Sequence, residues 1–219
     1  MRTVALIQAR MGSHRFKGKS LIDLNGAPLL RWTVDSCYRS HVLDDIVVCT
    51  TTLPQDDELV EACQRWGIKT NRGPNVDVLS RFMRAAQLHG AELIVRMCGD
   101  SPLISPRDVD MVVELATIRG IAYATQIKRD GTLAIRSAWG RAVEAFRFET
   151  LEDEFARLDV LDDPLAREHV TYRMSERGDN RCAFITCDPG DDRLAVDTPR
   201  DLDRVLKYIR TKRMSCPEL

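Results

Sequence analysis

The chain has 219 residues, 44% of them hydrophobic and 30% charged, enough for one ordinary domain with a real core. Twelve Gly and nine Pro are too few for low-complexity or collagen-like sequence. Lys and Arg number 32 against 33 Asp and Glu, a formal net charge of −1, without the basic excess of a general nucleic-acid binder.

The longest apolar run falls far short of the roughly 18 residues of a membrane span, so no membrane insertion is expected. The apolar stretch at residues 3–7 is too short for a signal peptide. The cysteines (Cys37, Cys49, Cys63, Cys98, Cys182, Cys187 and Cys216) are odd in number and scattered, with no Cys-x-x-Cys. Buried thiols in a reducing cytoplasm are expected, not a disulfide framework or a zinc site.

Residues 3–7, 45–50 and 92–97 are continuous apolar runs, as in strands covered on both faces. Helical spacing separates them. Leu29, Leu30, Val34 and Cys37 share a face, with Pro28 in the first turn. Leu59 and Cys63 mark a second helix, Val78, Leu79 and Phe82 a third, and Val109, Val112 and Val113 a fourth. This alternation predicts a parallel sheet with helices on both sides. Residues 121–147 read as irregular strands, 150–158 as a helix, and 163–174 as another, opened by Pro164 and running through Arg167, Val170 and Met174. Strands are predicted at 181–187 and 193–196. The last helix follows Thr198 as N-cap, Pro199 and Asp201, with Leu202, Val205, Leu206 and Ile209 as its apolar stripe. One α/β domain spanning 1–219 is expected, with roughly 125–190 as a smaller lobe.

Ligands bind beyond the carboxyl ends of parallel strands. After the first strand come Gln8, Ala9, Arg10, Met11, Gly12, Ser13, His14, Arg15, Phe16, Lys17, Gly18 and Lys19. Glycines let backbone N–H groups approach phosphate, and Arg10, Arg15 and Lys19 can neutralise it. The loop is neither Walker A nor Gly-x-Gly-x-x-Gly, and composition alone leaves a solvated basic loop open. Asp100, in Gly99-Asp100-Ser101-Pro102, suits a hard cation or an ordinary turn. Asp197 is a second strand-end carboxylate or simple helix-start acidity. Together, a cationic loop and two strand-end carboxylates point to nucleoside-triphosphate chemistry with Mg²⁺.

Five stretches carry a resemblance: Ile7-Gln8-Ala9-Arg10-Met11-Gly12-Ser13 through Gly18-Lys19, Asp77-Val78-Leu79-x-Arg81, Arg96-Met97-x-Gly99-Asp100-x-Pro102, Arg167-Glu168-His169-Val170-Thr171, and Val196-Asp197-Thr198-Pro199. In this order they resemble the cytidylyltransferases, most closely the spore-coat polysaccharide biosynthesis protein SpsF group, related to the acylneuraminate and KDO enzymes. The resemblance implies a Rossmann-like nucleotidyltransferase fold of the glycosyltransferase-A type, a three-layer sandwich around a mostly parallel sheet. It implies transfer of CMP from CTP to the hydroxyl of an acidic sugar, with release of pyrophosphate. By position, Arg10 and Lys19 contact the triphosphate, Ala9, Gly12 and Ser13 shape the loop, and Gln8 and Arg15 flank it. Arg72 matches the base-reading residue, and Asp77 and Arg96 lie in nucleotide-binding motifs. Asp100 and Asp197 match the Mg²⁺ ligands, with Mn²⁺ as an alternative ion. The implied catalytic set is Arg10, Lys19, Asp100 and Asp197.

On the acceptor side the candidates are Arg129, Arg136, Arg141, Glu144, Arg167 and His169, the last either structural or catalytic. The sequence departs from the subgroup here: Ala142 stands where an Asp is expected, and three arginines gather around it. Either the acceptor is more anionic, a phosphonate or phosphate included, or the surface has drifted. A same-fold transferase using another triphosphate and a non-catalytic nucleotide- or sugar-binding subunit are the rival readings. A homodimer is implied by the family, with Trp139, Phe146 and Phe148 offering apolar surface or core.

Overall fold

β1 (Thr3–Gln8) runs through the middle of a seven-stranded sheet, and its residues 4 to 7 are wholly buried. Val4 and Leu6 face one apolar cluster, Ala5 and Ile7 the other. A strand covered on both sides therefore reads as an unbroken apolar run. The computed structural model describes residues 1–137, 139–161, 163–175, 182–186 and 193–216.

A two-residue hairpin, β2 (Asp23–Leu24) and β3 (Ala27–Pro28), leads into α1 (Leu29–Tyr38). Then follow β4 (Asp45–Thr51), α2 (Asp57–Arg65), β5 (Lys69–Gly73), α3 (Val78–Leu88), β6 (Leu93–Cys98) and α4 (Pro106–Thr117). The remaining elements are β7 (Tyr123–Ile127), β8 (Glu144–Arg147), α5 (Phe148–Val160), α6 (Pro164–Glu168), β9 (Cys182–Thr186) and α7 (Pro199–Lys212). The sheet order is β5-β4-β1-β6-β8-β7-β9. All pairs are parallel except those that β8 makes with β6 and β7. Helices α1, α2 and α4 cover one face and α3 and α5 the other, giving the expected α/β sandwich. β1 sits between β4 and β6, where the strand order reverses, so the loops after β1 and β6 diverge to leave a crevice.

α7 closes that crevice from the side. Val205 and Ile209 pack with Leu24, Leu29 and Trp32. Thr198 and Asp201 form a reciprocal capping box at its start, as Ser105 and Asp108 do for α4, each cap being worth about 1 kcal/mol.

Several elements differ from expectation. β5 was not foreseen because Lys69, Thr70 and Asn71 are polar; it is the edge strand, held by its ladder to β4. Pro28 lies before α1, in β3, not in the first helical turn. The helix predicted through Met174 stops at Glu168. Asp163 both caps α6 and binds Arg173 at 2.7 Å, which folds the chain back into turns. Residues 193–196 are not a strand: Leu194 N–H bonds Trp139 O and Val196 N–H bonds Asp100 O, with no ladder. Residues 181 and 187 of the strand predicted at 181–187 lie outside the described residues. Trp139 and Phe146 are core, not a surface for a partner. Cys37, Cys49 and Cys63 are buried, and burial pushes the Cys49 and Cys63 thiols up to about 12. Among the described residues no helix is long and apolar enough to cross a membrane.

Candidate active site

The loop leaving β1 is tied down at several points. Met11 N–H donates to Asp56 at 2.7 Å, and Gly18 N–H donates to Met11 O at 2.9 Å, closing the loop at its neck. Gly18 takes a φ of 72°, which its lack of a Cβ allows. Ser20 Oγ donates to Arg10 O. The Arg10 guanidinium reaches the Asn75 side chain at 3.0 Å, beside the buried Arg81, which also donates to Asn75 O.

Lys19 occupies the centre. It is buried, and its ammonium donates to Asp100 at 2.7 Å, Val196 O at 2.9 Å and Asp197 at 3.0 Å. An ammonium has three donors, so all are used within the protein. Burial disfavours its charge, but the two carboxylates outweigh this and raise its pKa above the ordinary value. Arg15 pairs with Asp197 from the solvent side at 2.8 Å.

These groups edge a cavity of about 610 Å³, a size suited to a small-molecule site. Arg96, Cys98 and Asp100 reach it from the end of β6. Arg136, Gly140 and Ala142 reach it from the β7–β8 connection, His169 and Tyr172 from the turns after α6, and Arg193 and Asp197 from the segment before α7. Arg136 lies over the Tyr172 ring at 5.2 Å and donates to Ser175 Oγ. Two glycines make the walls fit. A Cβ on Gly99 would lie 2.8 Å from a Leu30 methyl carbon, and one on Gly140 would lie 2.2 Å from the Ala195 nitrogen. Beneath the cavity Arg96 forms a buried ion pair with Glu144, whose other oxygen accepts from Tyr123 OH at 2.6 Å. Burial works against the Arg96 charge, but Glu144 holds its pKa above the ordinary value.

The cytidylyltransferase family model matches residues 4–132, more than half of the chain and the whole run from β1 to beyond β7. The chain belongs to the cytidylyltransferase family. It is a nucleotidyltransferase enzyme. An uncharacterised protein of Methanocaldococcus jannaschii is 32% identical to it over 212 residues, covering 94% of this chain and 83% of the relative. The spore coat polysaccharide biosynthesis protein SpsF of Bacillus subtilis is 28% identical, covering 91% and 83%. A 3-deoxy-manno-octulosonate cytidylyltransferase of Geobacter sulfurreducens is 25% identical, covering 96% and 100%. Among solved structures, a cytidylyltransferase from Leptospira borgpetersenii shares the fold with a TM-score of 0.81 at 24% identity, covering 97% and 95%.

Within this cytidylyltransferase, Arg15, Arg96, Asp100, Arg136, His169 and Asp197 line the one cavity, with Lys19 joining its two carboxylates and Gln8 accepting weakly from Arg96. Other candidates point elsewhere. Glu144 is fully buried and serves Arg96, so it is no direct contact for an acceptor. Arg141 turns away, pairing with Asp108 at 3.1 Å and lying over Trp139, because Ala142 beside it is packed into a small cluster. Asp77 is the N-cap of α3 and accepts from Ser80 and from Arg167, so that pair clamps two helices. Arg72 lies within β5, donating to Thr51 O and Leu53 O and pairing with Asp57. Arg129 lies in the turn after β7, away from the cavity lining. Arg193 and Tyr172 also line the cavity, though the sequence pattern puts them in a strand and a helix, and Asp56, which holds Met11, carries no motif around it.

Proposed function

We propose that this enzyme transfers CMP from CTP to a hydroxyl of an acidic sugar or a closely related anionic acceptor, releasing pyrophosphate. The acceptor oxygen forms a new bond to the α-phosphorus, the bond to the β-phosphate oxygen breaks, and the hydroxyl proton leaves to solvent. The convergence of Asp100 and Asp197 at the mouth of a cavity that also holds Arg15, Arg136 and Arg193 carries this reading. The family supports CTP; Arg136 and Arg193 on the cavity wall support an acidic acceptor, as does the name of the Geobacter relative. The region from roughly 125 to 190 supplies the acceptor side through Arg136, His169 and Tyr172. The loop bearing Arg10, Gly12, Ser13 and Arg15 takes the triphosphate. We place the enzyme in the cytoplasm, as its buried thiols suit.

The donors fit a divalent ion. Asp100, Asp197 and Val196 O already surround one cation, the Lys19 ammonium, and hard oxygen ligands suit Mg²⁺ or Mn²⁺. Asp100 and Asp197 would hold that ion, with substrate oxygens and water completing its shell. Bound there, it would lower the pKa of the acceptor hydroxyl and neutralise phosphate charge. Lys19 and Arg10 stabilise pyrophosphate as it departs.

Pyrophosphate release should be measured with each of the four nucleoside triphosphates against a panel of sugar acids, phosphonates and neutral sugars. CTP with a sugar acid is expected to be productive. Turnover only with a neutral sugar or only with another triphosphate would overturn the proposal. Asp100→Ala should lose about three orders of magnitude in turnover while still folding, as circular dichroism checks; near-normal turnover would remove Asp100 from the mechanism.

A further inference from the structure

Asp56 plays no part in the chemistry above, yet its carboxylate is completely buried. One oxygen accepts from Met11 N–H at 2.7 Å. The other accepts from Thr50 Oγ1 at 3.0 Å, Thr51 N–H at 3.1 Å and Thr51 Oγ1. It makes no direct ion pair among the described residues; these hydrogen bonds, with the charge of the nearby buried Arg81, compensate its burial. Asp56 stands at the N-cap of α2, where an Asp side chain ordinarily bonds its own helix. Here it makes no such cap and instead reaches a loop 45 residues earlier. Neighbouring Gln55 acts on the same place: its amide lies where a Cβ on Gly12 would be, 2.2 Å from that position. Met11 is thereby held at its N–H by Asp56 and at its C=O by Gly18 N–H. Thr51 extends the junction, since its carbonyl accepts from Arg72 at 2.8 Å. One carboxylate thus ties the loop after β1 to the end of β4 and, through the Thr51 carbonyl, to Arg72 in β5.

We propose that Asp56 is a positioning residue for nucleotide binding: it fixes the Met11 peptide so that the N–H groups of Gly12 and Ser13 are presented to the triphosphate before it arrives. A loop ordered in advance spares the cost of ordering on binding. The inference rests on the reading that this loop takes the triphosphate.

The test compares Asp56→Ala and Asp56→Asn with the unaltered enzyme. CTP binding is measured by calorimetry, the Met11 and Gly12 amides by hydrogen exchange, and the acceptor KM by pyrophosphate release. In Asp56→Ala the Met11 amide should lose its protection and CTP should bind about ten-fold more weakly or worse, while the acceptor KM stays within about two-fold. Asp56→Asn, which keeps one accepting oxygen, should fall between, and it carries the test if the Ala variant does not fold. Val34→Ala, a core truncation in α1, supplies a destabilised control whose CTP affinity should be unchanged. Undiminished CTP affinity with an unprotected Met11 amide would overturn the proposal, as would equal weakening of CTP and acceptor. If Arg10→Ala and Arg15→Ala also leave CTP affinity intact, the loop reading itself fails, and that failure is distinguishable from failure at Asp56.

Discussion

The ammonium of Lys19 lies 2.7 Å from the carboxylate of Asp100. With Asp197 at 3.0 Å and Val196 O at 2.9 Å it is enclosed by three protein oxygens, the two carboxylates among them being the proposed metal ligands. A side chain expected on the triphosphate is therefore, in the free protein, an internal counter-ion. Lys19→Met should leave Asp100 without its cation and Asp197 with Arg15 alone, and Mn²⁺ affinity without nucleotide should tighten by about ten-fold or more. Electron paramagnetic titration of free Mn²⁺ reads this directly. Unchanged or weaker affinity would show that the ammonium and the metal do not compete.

Glu144 and Arg96 form the buried pair under the cavity, and Tyr123 adds a hydrogen bond. Glu144→Gln should cost about 3 kcal/mol or more in urea unfolding, because the guanidinium stays buried with its partner charge gone. If the cavity takes the acceptor as proposed, the acceptor KM should shift more than the CTP KM, since Arg96 lines it. Equal shifts in both would detach Arg96 from acceptor binding.

Gly140 combines a φ of 73° with the backbone of Leu194 and Ala195 lying directly over it. In Gly140→Ala a Cβ would collide with main chain, which has no rotamer by which to yield. The 193–197 segment must then lift, carrying Asp197 from Lys19. Stability should fall by about 2 kcal/mol or more, and turnover should fall with it. A variant as stable and active as the parent would show that the segment is not seated there.

Asp45 gathers Arg2, Lys69 and His89 at the edge of the sheet. Burial opposes its charge, but hydrogen bonds from Lys69 and from Ile46 N–H hold its pKa below the ordinary 3.8. A depressed carboxylate contributes stability above its unfolded value and loses it as pH falls through the folded one. Asp45→Asn should therefore be destabilising at neutral pH, with the difference from the parent shrinking as pH falls below 3.8 and through the depressed pKa. Denaturant midpoints across pH check this; a difference that persists in acid would assign the effect to packing.

Most of the first half was legible because its strands are covered on both faces. Val4, Val47 and Val95 stand in runs that no surface strand would carry. β5 escaped because an edge strand made of Lys69, Thr70 and Asn71 is held by backbone, which composition does not register. The site divides the same way. Asp100 and Asp197 were readable from position at strand or segment ends. Arg136 and Arg141 look alike in sequence, and only tertiary packing sends one toward Tyr172 in the cavity and the other to Asp108. Asp77 carries a shared motif, and what its sequence does not disclose is that its oxygens cap α3 at Ser80 and bind Arg167.

Asp197 meets Lys19 across 178 residues of sequence, and its position depends on the capped start of α7. Synthesis proceeds from the N-terminus, and all seven sheet strands precede that helix. A chain still emerging from the ribosome can assemble its sheet and the loop after β1 while Lys19 has only Asp100 and the second carboxylate is missing. The three-oxygen seat of Lys19 is thus completed last, only after the sheet that carries the rest of it has been made.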